Sequence, residues 1–138
     1  MVRILKEEIE IKTKKIYDFV DLTQKIQKIV ENSNIKDGIL ILNNLHNTAS
    51  LLIQEKDNQI FNDLKNSLEK IFPLSGKYEH DYEGNVNATA HLKSSLFAPS
   101  ITLSIRNGKL DLGTWQSILF VEFFEPRERK IIVTIIGE

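Results

Sequence analysis

Residues Ile101 to Leu112 read ITLSIRNGKLDL, and this stretch decides the kind of sheet the chain builds. Ile101, Leu103 and Ile105 alternate with Thr102 and Ser104, the two-residue period of a strand with one buried face. Asn107-Gly108 is the residue pair that best tolerates a tight two-residue hairpin turn, and Lys109–Leu112 then returns. A hairpin of this type makes neighbouring strands antiparallel. Downstream, Gly113-Thr114 punctuates the chain, and Trp115–Phe124 forms a further β run containing Ile118, Phe120 and Val121. Glu125-Pro126-Arg127-Glu128 supplies a turn before a closing strand, Lys130–Ile136 (KIIVTII).

Upstream of the hairpin the period changes. Asn87 is placed to cap a short helix over Ala88–Phe97, on which Ala88, His91, Leu92 and Ser95 share a face, and Pro99 stops it. Leu74–Val86 carries Gly76, Gly84 and Asn85 without a period and reads as a long irregular loop. From Asp57 or Asn58, apolar residues Ile60, Phe61, Leu64, Leu68, Ile71 and Phe72 recur at helical spacing until Pro73 ends the run. Gly38–Leu45 (GILILNNL) is a largely buried strand, and Ser50–Ile53 continues in the same style. Leu22, Ile26, Ile29 and Val30 mark an amphipathic helix that stops near Asn32–Asn34, with Asp21 and Thr23 as cap types at its start. Tyr17–Thr23 and Val2–Lys12 read as strands, the second with one wet face. About eight strands and three unevenly distributed helices predict an α+β fold, a single domain over residues 1–138. Its sheets are expected to be mostly antiparallel or mixed and to form a sandwich-like core.

Composition narrows the chemistry. With 18 Lys+Arg against 19 Asp+Glu in 138 residues, no global basic field exists, so neither nucleic acid nor a membrane surface is expected as a partner. No Cys is present, which removes disulfides, thiolate nucleophiles and Cys-based zinc sites and suits a reducing, cytoplasmic setting. Met1–Glu8 passes straight into charges with no apolar leader, and no run approaches the ~18 apolar residues that span a bilayer. Dinucleotide, P-loop, H-E-x-x-H and G-x-S-x-G fingerprints are missing.

The three histidines remain as chemistry-bearing candidates. His46 ends a buried strand amid Asn47, Thr48 and Ser50, His80 lies in the long loop within His80-Asp81-Tyr82-Glu83-Gly84, and His91 lies on the short helix. Their spacing matches no compact metal motif, and separate, structurally bonded imidazoles are the plain alternative. Thr114 and Gln116 put polar groups beside Trp115, which otherwise completes the core. Lys93, Arg106, Arg127 and Arg129 are cations near these segments, and only Arg127, fixed beside Pro126 in a turn, looks more specific than solvated charge.

Taken together, these segments resemble the YjbQ family, small proteins described as secondary thiamine-phosphate synthases. Its pattern runs H-T-T-A, Y-x-H-N, N-A-x-A-H-L-K-x-S-L, G-x-L-x-L-G-T-W-Q and E-F-D-G-P-R-x-R, and closes in Gly-Glu. Here the corresponding residues are His46-Asn47-Thr48-Ala49, Tyr78-Glu79-His80-Asp81, Asn87–Leu96, Gly108–Gln116 and Glu122–Arg129, with Gly137-Glu138 at the end. Order and spacing agree from about Asp21 onward. Phe124 and Glu125 depart from the family Asp-Gly, and Asn47 and Asp81 stand for Thr and Asn. The resemblance implies that His46, His80 and His91 converge to bind a divalent metal, Zn or Mg. It also implies that His91 or His46 moves a proton while Thr114, Gln116, Arg127 and Lys93 hold a small phosphorylated substrate. The implied reaction joins a pyrimidine pyrophosphate to a thiazole phosphate. The alternative is a non-catalytic protein that binds a metal or a phosphorylated metabolite. A homo-oligomer, a trimer with the site near a subunit boundary, is implied as well.

Overall fold

The computed structural model describes every residue, Met1–Glu138. In chain order the elements are β1 (Arg3–Lys12), β2 (Phe19–Asp21), α1 (Thr23–Ser33), β3 (Gly38–Asn44), β4 (Ala49–Gln54), α2 (Asn58–Ile71), α3 (Asn85–Ser94), β5 (Ser100–Arg106), β6 (Lys109–Leu110), β7 (Ser117–Glu122) and β8 (Glu128–Gly137). A five-stranded sheet of order β1-β8-β3-β5-β6 lies with a three-stranded sheet of order β2-β7-β4, and every pairing is antiparallel. The β5–β6 turn has Asn107 at φ 53° and Gly108 at φ 76°, the double positive φ of the hairpin predicted from those two residues.

Strand β7 shows how period 2 divides the interior. Ile118 and Phe120 join the main core with Leu40, Leu42, Leu51, Ile131, Val133 and the α1 residues Ile26 and Val30. Val121 faces the other way and joins Tyr17, Leu68, Ala90 and Phe123 in a second cluster formed with α2 and α3. The strand is therefore covered on both sides, which is why the four residues between Ser117 and Glu122 are all apolar. At the far end of the large sheet Gly38 lies opposite Gly137. A Cβ on Gly137 would fall 2.2 Å from the carbonyl oxygen of Asp37, so only glycine fits there.

Several local readings are corrected. The second strand shrinks to Phe19–Asp21, because Tyr17 adopts φ 59° and turns the chain before pairing begins. Helix α1 starts after Leu22, with the Asp21 carboxylate accepting from both the Thr23 N–H (3.0 Å) and its hydroxyl (2.6 Å). Helix α3 begins at Asn85, after Gly84 at φ 91°, so Asn87 lies inside the helix and is no cap. Trp115 stands in the turn before β7 and is 72% exposed, so it does not complete the core. By contrast, Asp57 caps α2 as its position suggests, accepting from the Gln59 and Ile60 N–H groups.

Candidate functional site

The β3–β4 connection carries His46 out of the core. Asn44, the last residue of β3, holds this loop in shape. Its side-chain amide donates to the carbonyls of His46 (3.1 Å) and Ala49 (2.7 Å), and its oxygen accepts from the His46 N–H (3.1 Å). The His46 ring packs edge-on to Phe120, and its Nε2 accepts from the Lys130 N–H at 2.8 Å. In the neutral ring that bond places the remaining proton on Nδ1. His46 thus offers a hydrogen-bond donor and has no free lone pair for a metal.

Behind this loop lies a buried ion pair. Arg129 and Glu122 are 2% and 0% exposed; Arg129 Nε donates to Glu122 at 2.8 Å, and its Nη2 reaches both the second carboxylate oxygen and Thr48 Oγ1 (3.0 Å). The Thr13 hydroxyl (2.7 Å) and the Phe124 N–H (3.1 Å) satisfy the rest of the carboxylate. Burial first, and then the nearby Arg129 charge, hold the His46 imidazole below its ordinary pKa of 6.5, with Glu122 opposing part of the effect.

His46 and His91 line one cavity of about 330 Å³ together with Asn44, Asn47, Ser50 and Ser94. The Ser50 and Ser94 hydroxyls, 2.9 Å apart, tie β4 to α3 and fix the distance between the two walls. On the α3 side His80 and His91 meet edge to face, their ring centroids 4.7 Å apart. Donor atoms of His80, Glu83 and His91 lie within 4.8 Å of one another. His80 Nδ1 is 2.9 Å from the Tyr82 hydroxyl, and its Nε2 is shielded from solvent with no hydrogen-bond partner. In the tautomer whose Nδ1–H donates to Tyr82, the unpartnered Nε2 presents a lone pair, the arrangement by which a hydrogen-bonded neighbour orients a ligating histidine. Burial and the neighbouring His80 lower the His91 pKa, Glu83 countering, which favours the neutral form that binds metals. Two imidazoles and a carboxylate with one solvent-shielded, unpartnered nitrogen are a donor set that fits a divalent ion.

The structure therefore regroups the predicted ligands. His80 and His91 come together, Glu83 replaces His46 as the third member, and His46 stands across the cavity as a donor. Glu83 was legible in the segment His80-Asp81-Tyr82-Glu83, where a carboxylate follows a histidine by three residues. Among the substrate-binding candidates, Lys93 is excluded from the cavity. It is fully buried, pairs with Glu69 at 3.3 Å and lies over the Tyr17 ring at 4.7 Å, and its burial lowers its pKa. The Ala88 N–H near the start of α3 is likewise not free for phosphate, since it donates to Gly84 O at 3.1 Å. Arg127 lies close enough to lower the pKa of His46, but its guanidinium is bound to Glu125 and covers the Phe124 ring.

Thr114 and Gln116 are exposed and lie away from the histidines within the chain. Gln116 closes its own turn, accepting from the Gly113 N–H at 2.8 Å. Register explains the separation: β7 starts at Ser117 opposite Gln54, whereas the His46 loop adjoins the other end, where Ala49 faces Glu122. Six residues of strand put the two ends roughly 17–20 Å apart. A larger cavity, about 540 Å³ and lined by Lys15, Tyr17, Lys56 and Lys65, contains none of the histidines.

A small antiparallel α+β domain with a histidine–carboxylate cluster beside a polar cavity is the class these features define. Comparison with known proteins then places it more closely: residues 7–138 match the family described as UPF0047 protein YjbQ-like, and the chain belongs to that family. It is 34% identical over 137 residues to the UPF0047 protein of Methanothermobacter thermautotrophicus, covering 99% of this chain and 95% of that one. With the relative from Methanocaldococcus jannaschii it shares 42% over 130 residues, 94% and 92% of the two chains. Its fold superimposes on a YbjQ-like protein of unknown function from Sulfolobus solfataricus with a TM-score of 0.93 at 32% identity, covering 100% of both chains. An uncharacterised family member from Clostridium acetobutylicum gives 0.86 at 41%, covering 94% of this chain and 98% of that one. No helix is long and apolar enough to cross a membrane.

Proposed function

We propose that His80, Glu83 and His91 hold a divalent cation at the edge of the His46 cavity, where a small phosphorylated substrate binds. The observation that carries this reading is a cluster whose donor atoms lie within 4.8 Å of one another and whose His80 has a solvent-shielded, unpartnered Nε2. Two nitrogen donors with one oxygen suit Zn²⁺ better than Mg²⁺, which prefers an all-oxygen shell.

In the reaction that the resemblance implies, the thiazole nitrogen attacks the methylene carbon carried by the pyrimidine ring, the bond from that carbon to pyrophosphate breaks, and thiamine phosphate results. Such a transfer needs charge stabilisation and alignment more than covalent help. A bound cation supplies positive charge for the leaving group. His46, its Nε2 occupied by Lys130 N–H, donates from Nδ1 to a phosphate oxygen, so it enters as an electrostatic partner and not as a base. Arg127 adds a cation on the same side once released from Glu125. Thr114 and Gln116 act from a second copy of the chain in a homo-oligomer, a trimer by the family resemblance. The exposed Leu45, Leu92, Leu96 and Trp115 favour such packing, since they leave apolar surface beside both segments.

One observation favours the non-catalytic alternative, a metal- or metabolite-binding protein. Glu125 neutralises Arg127 and Lys93 is buried, so few free cations remain for two phosphorylated substrates. Thiamine phosphate formation from the two phosphorylated precursors, with Zn²⁺ or Mg²⁺ supplied, separates the readings. The synthase reading predicts a rate that falls at least tenfold in His91→Ala; equal rates for the two proteins contradict it.

A further inference from the structure

Two buried side-chain polar atoms in the whole chain lack a hydrogen-bond partner, His80 Nε2 and Asn87 Oδ1. Such atoms are rare because an unpaired buried acceptor costs stability, and each asks for an explanation. Asn87 is only 4% exposed. Its polar neighbours on α3 are satisfied: the Thr89 hydroxyl donates to Asn85 O at 2.7 Å, and the Asn85 amide donates to Leu74 O (2.8 Å) and Gly76 O (3.0 Å). Asn87 alone holds an idle carbonyl oxygen inside the protein. It also sits one helical turn before His91 on the same face of α3, where residues four apart are neighbours and side chains lean toward the N-terminus. His91 in turn packs against His80, the owner of the other orphan atom.

An amide oxygen can accept a hydrogen bond from a donor or lend a lone pair to a cation. We infer that Asn87 Oδ1 is an additional oxygen ligand of the ion held by His80, Glu83 and His91. The inference rests on the metal reading above and extends its donor set to two nitrogens and two oxygens. A purely structural asparagine would be bonded within the fold, and its loss would weaken the metal-free protein. A ligand leaves its cost in the empty protein and recovers it only on binding.

Titration with Zn²⁺ against a chromophoric chelator, Co²⁺ absorption spectra, and melting in excess chelator test this on wild type, Asn87→Ala, Asn87→Asp and His80→Ala. Asn87→Ala should bind Zn²⁺ at least tenfold more weakly and alter the Co²⁺ d–d bands, yet melt in chelator at or above the wild-type temperature. Asn87→Asp keeps the oxygen and should bind at least as tightly as wild type. If Asn87→Ala matches wild type in affinity and spectrum while His80→Ala loses the ion, the Asn87 role is overturned and the metal reading stands. A loss of stability in chelator without a change in affinity overturns it equally. Failure of wild type itself to bind either ion refutes the metal reading, and this inference with it.

Discussion

Glu122→Gln is the perturbation whose size follows most directly from the structure. Both partners of the Glu122–Arg129 pair are buried, and the carboxylate accepts from Arg129, Thr13 and Phe124. The substitution keeps the shape and removes the charge, which leaves a guanidinium inside the protein with no counter-ion. Breaking a buried pair in this way costs about 3–5 kcal/mol. With an unfolding entropy of about 2.1 cal/mol/K per residue, 138 residues give roughly 0.3 kcal/mol per degree, so the melting temperature should fall by about 10–17 °C. The double variant Glu122→Leu, Arg129→Met removes both charges and should be less destabilised than Glu122→Gln, because no unpaired charge remains. Arg129 also grips Thr48 in the His46 loop, so the His46 ring resonances should broaden or shift in the single variant. Thermal and urea unfolding measure the loss. A fall of under about 1 kcal/mol, or a double variant worse than the single, would refute the account of this pair as a buried, mutually dependent unit.

Two further outcomes are expected. Burial, with the Glu69 carboxylate adding to it, pushes the Tyr17 phenol far above its ordinary pKa of 10.0, so its contribution to stability is complete below about pH 10 and is lost as the pH rises beyond it, where only the unfolded tyrosine ionises. Absorbance at alkaline pH, read before unfolding, should lack the phenolate of at least one of the three tyrosines, and denaturant should release it; full ionisation in the native protein would contradict this. Glu125→Gly frees the Arg127 guanidinium, and an exposed pair of this kind is worth about 0.2–1 kcal/mol, so pyrophosphate should bind up to about fivefold more tightly by calorimetry. Unchanged affinity would remove Arg127 from the anion side of the cavity.

Much of the fold is legible in the chain because the governing signals are local. Asn107-Gly108 dictates the hairpin through φ alone, Asp57 caps α2 through its own carboxylate, and the apolar stripe to Phe72 orients that helix. Other residues have an environment set by distant segments, which local sequence does not reveal. Lys93 looks like a free cation until α2 brings Glu69 over it, and Trp115 looks like core until β7 is seen to start two residues later. The site shows the same divide. A histidine at a strand end is visible in sequence, but whether it ligates a metal depends on the Lys130 N–H, 84 positions away, which takes its Nε2. Glu83 shows the converse: its place three residues after His80 is visible in the sequence, but only the turn from His80 into α3 brings its carboxylate beside both rings.

The central claim is tested most directly by the metal content of the purified protein, measured on wild type and on His80→Ala, Glu83→Ala, His91→Ala and His46→Ala after equilibration with Zn²⁺. One ion per chain is expected in wild type and in His46→Ala, with loss in His80→Ala and His91→Ala and weakened retention in Glu83→Ala. An ion that persists without His80 and His91, or that disappears only with His46, would contradict the account.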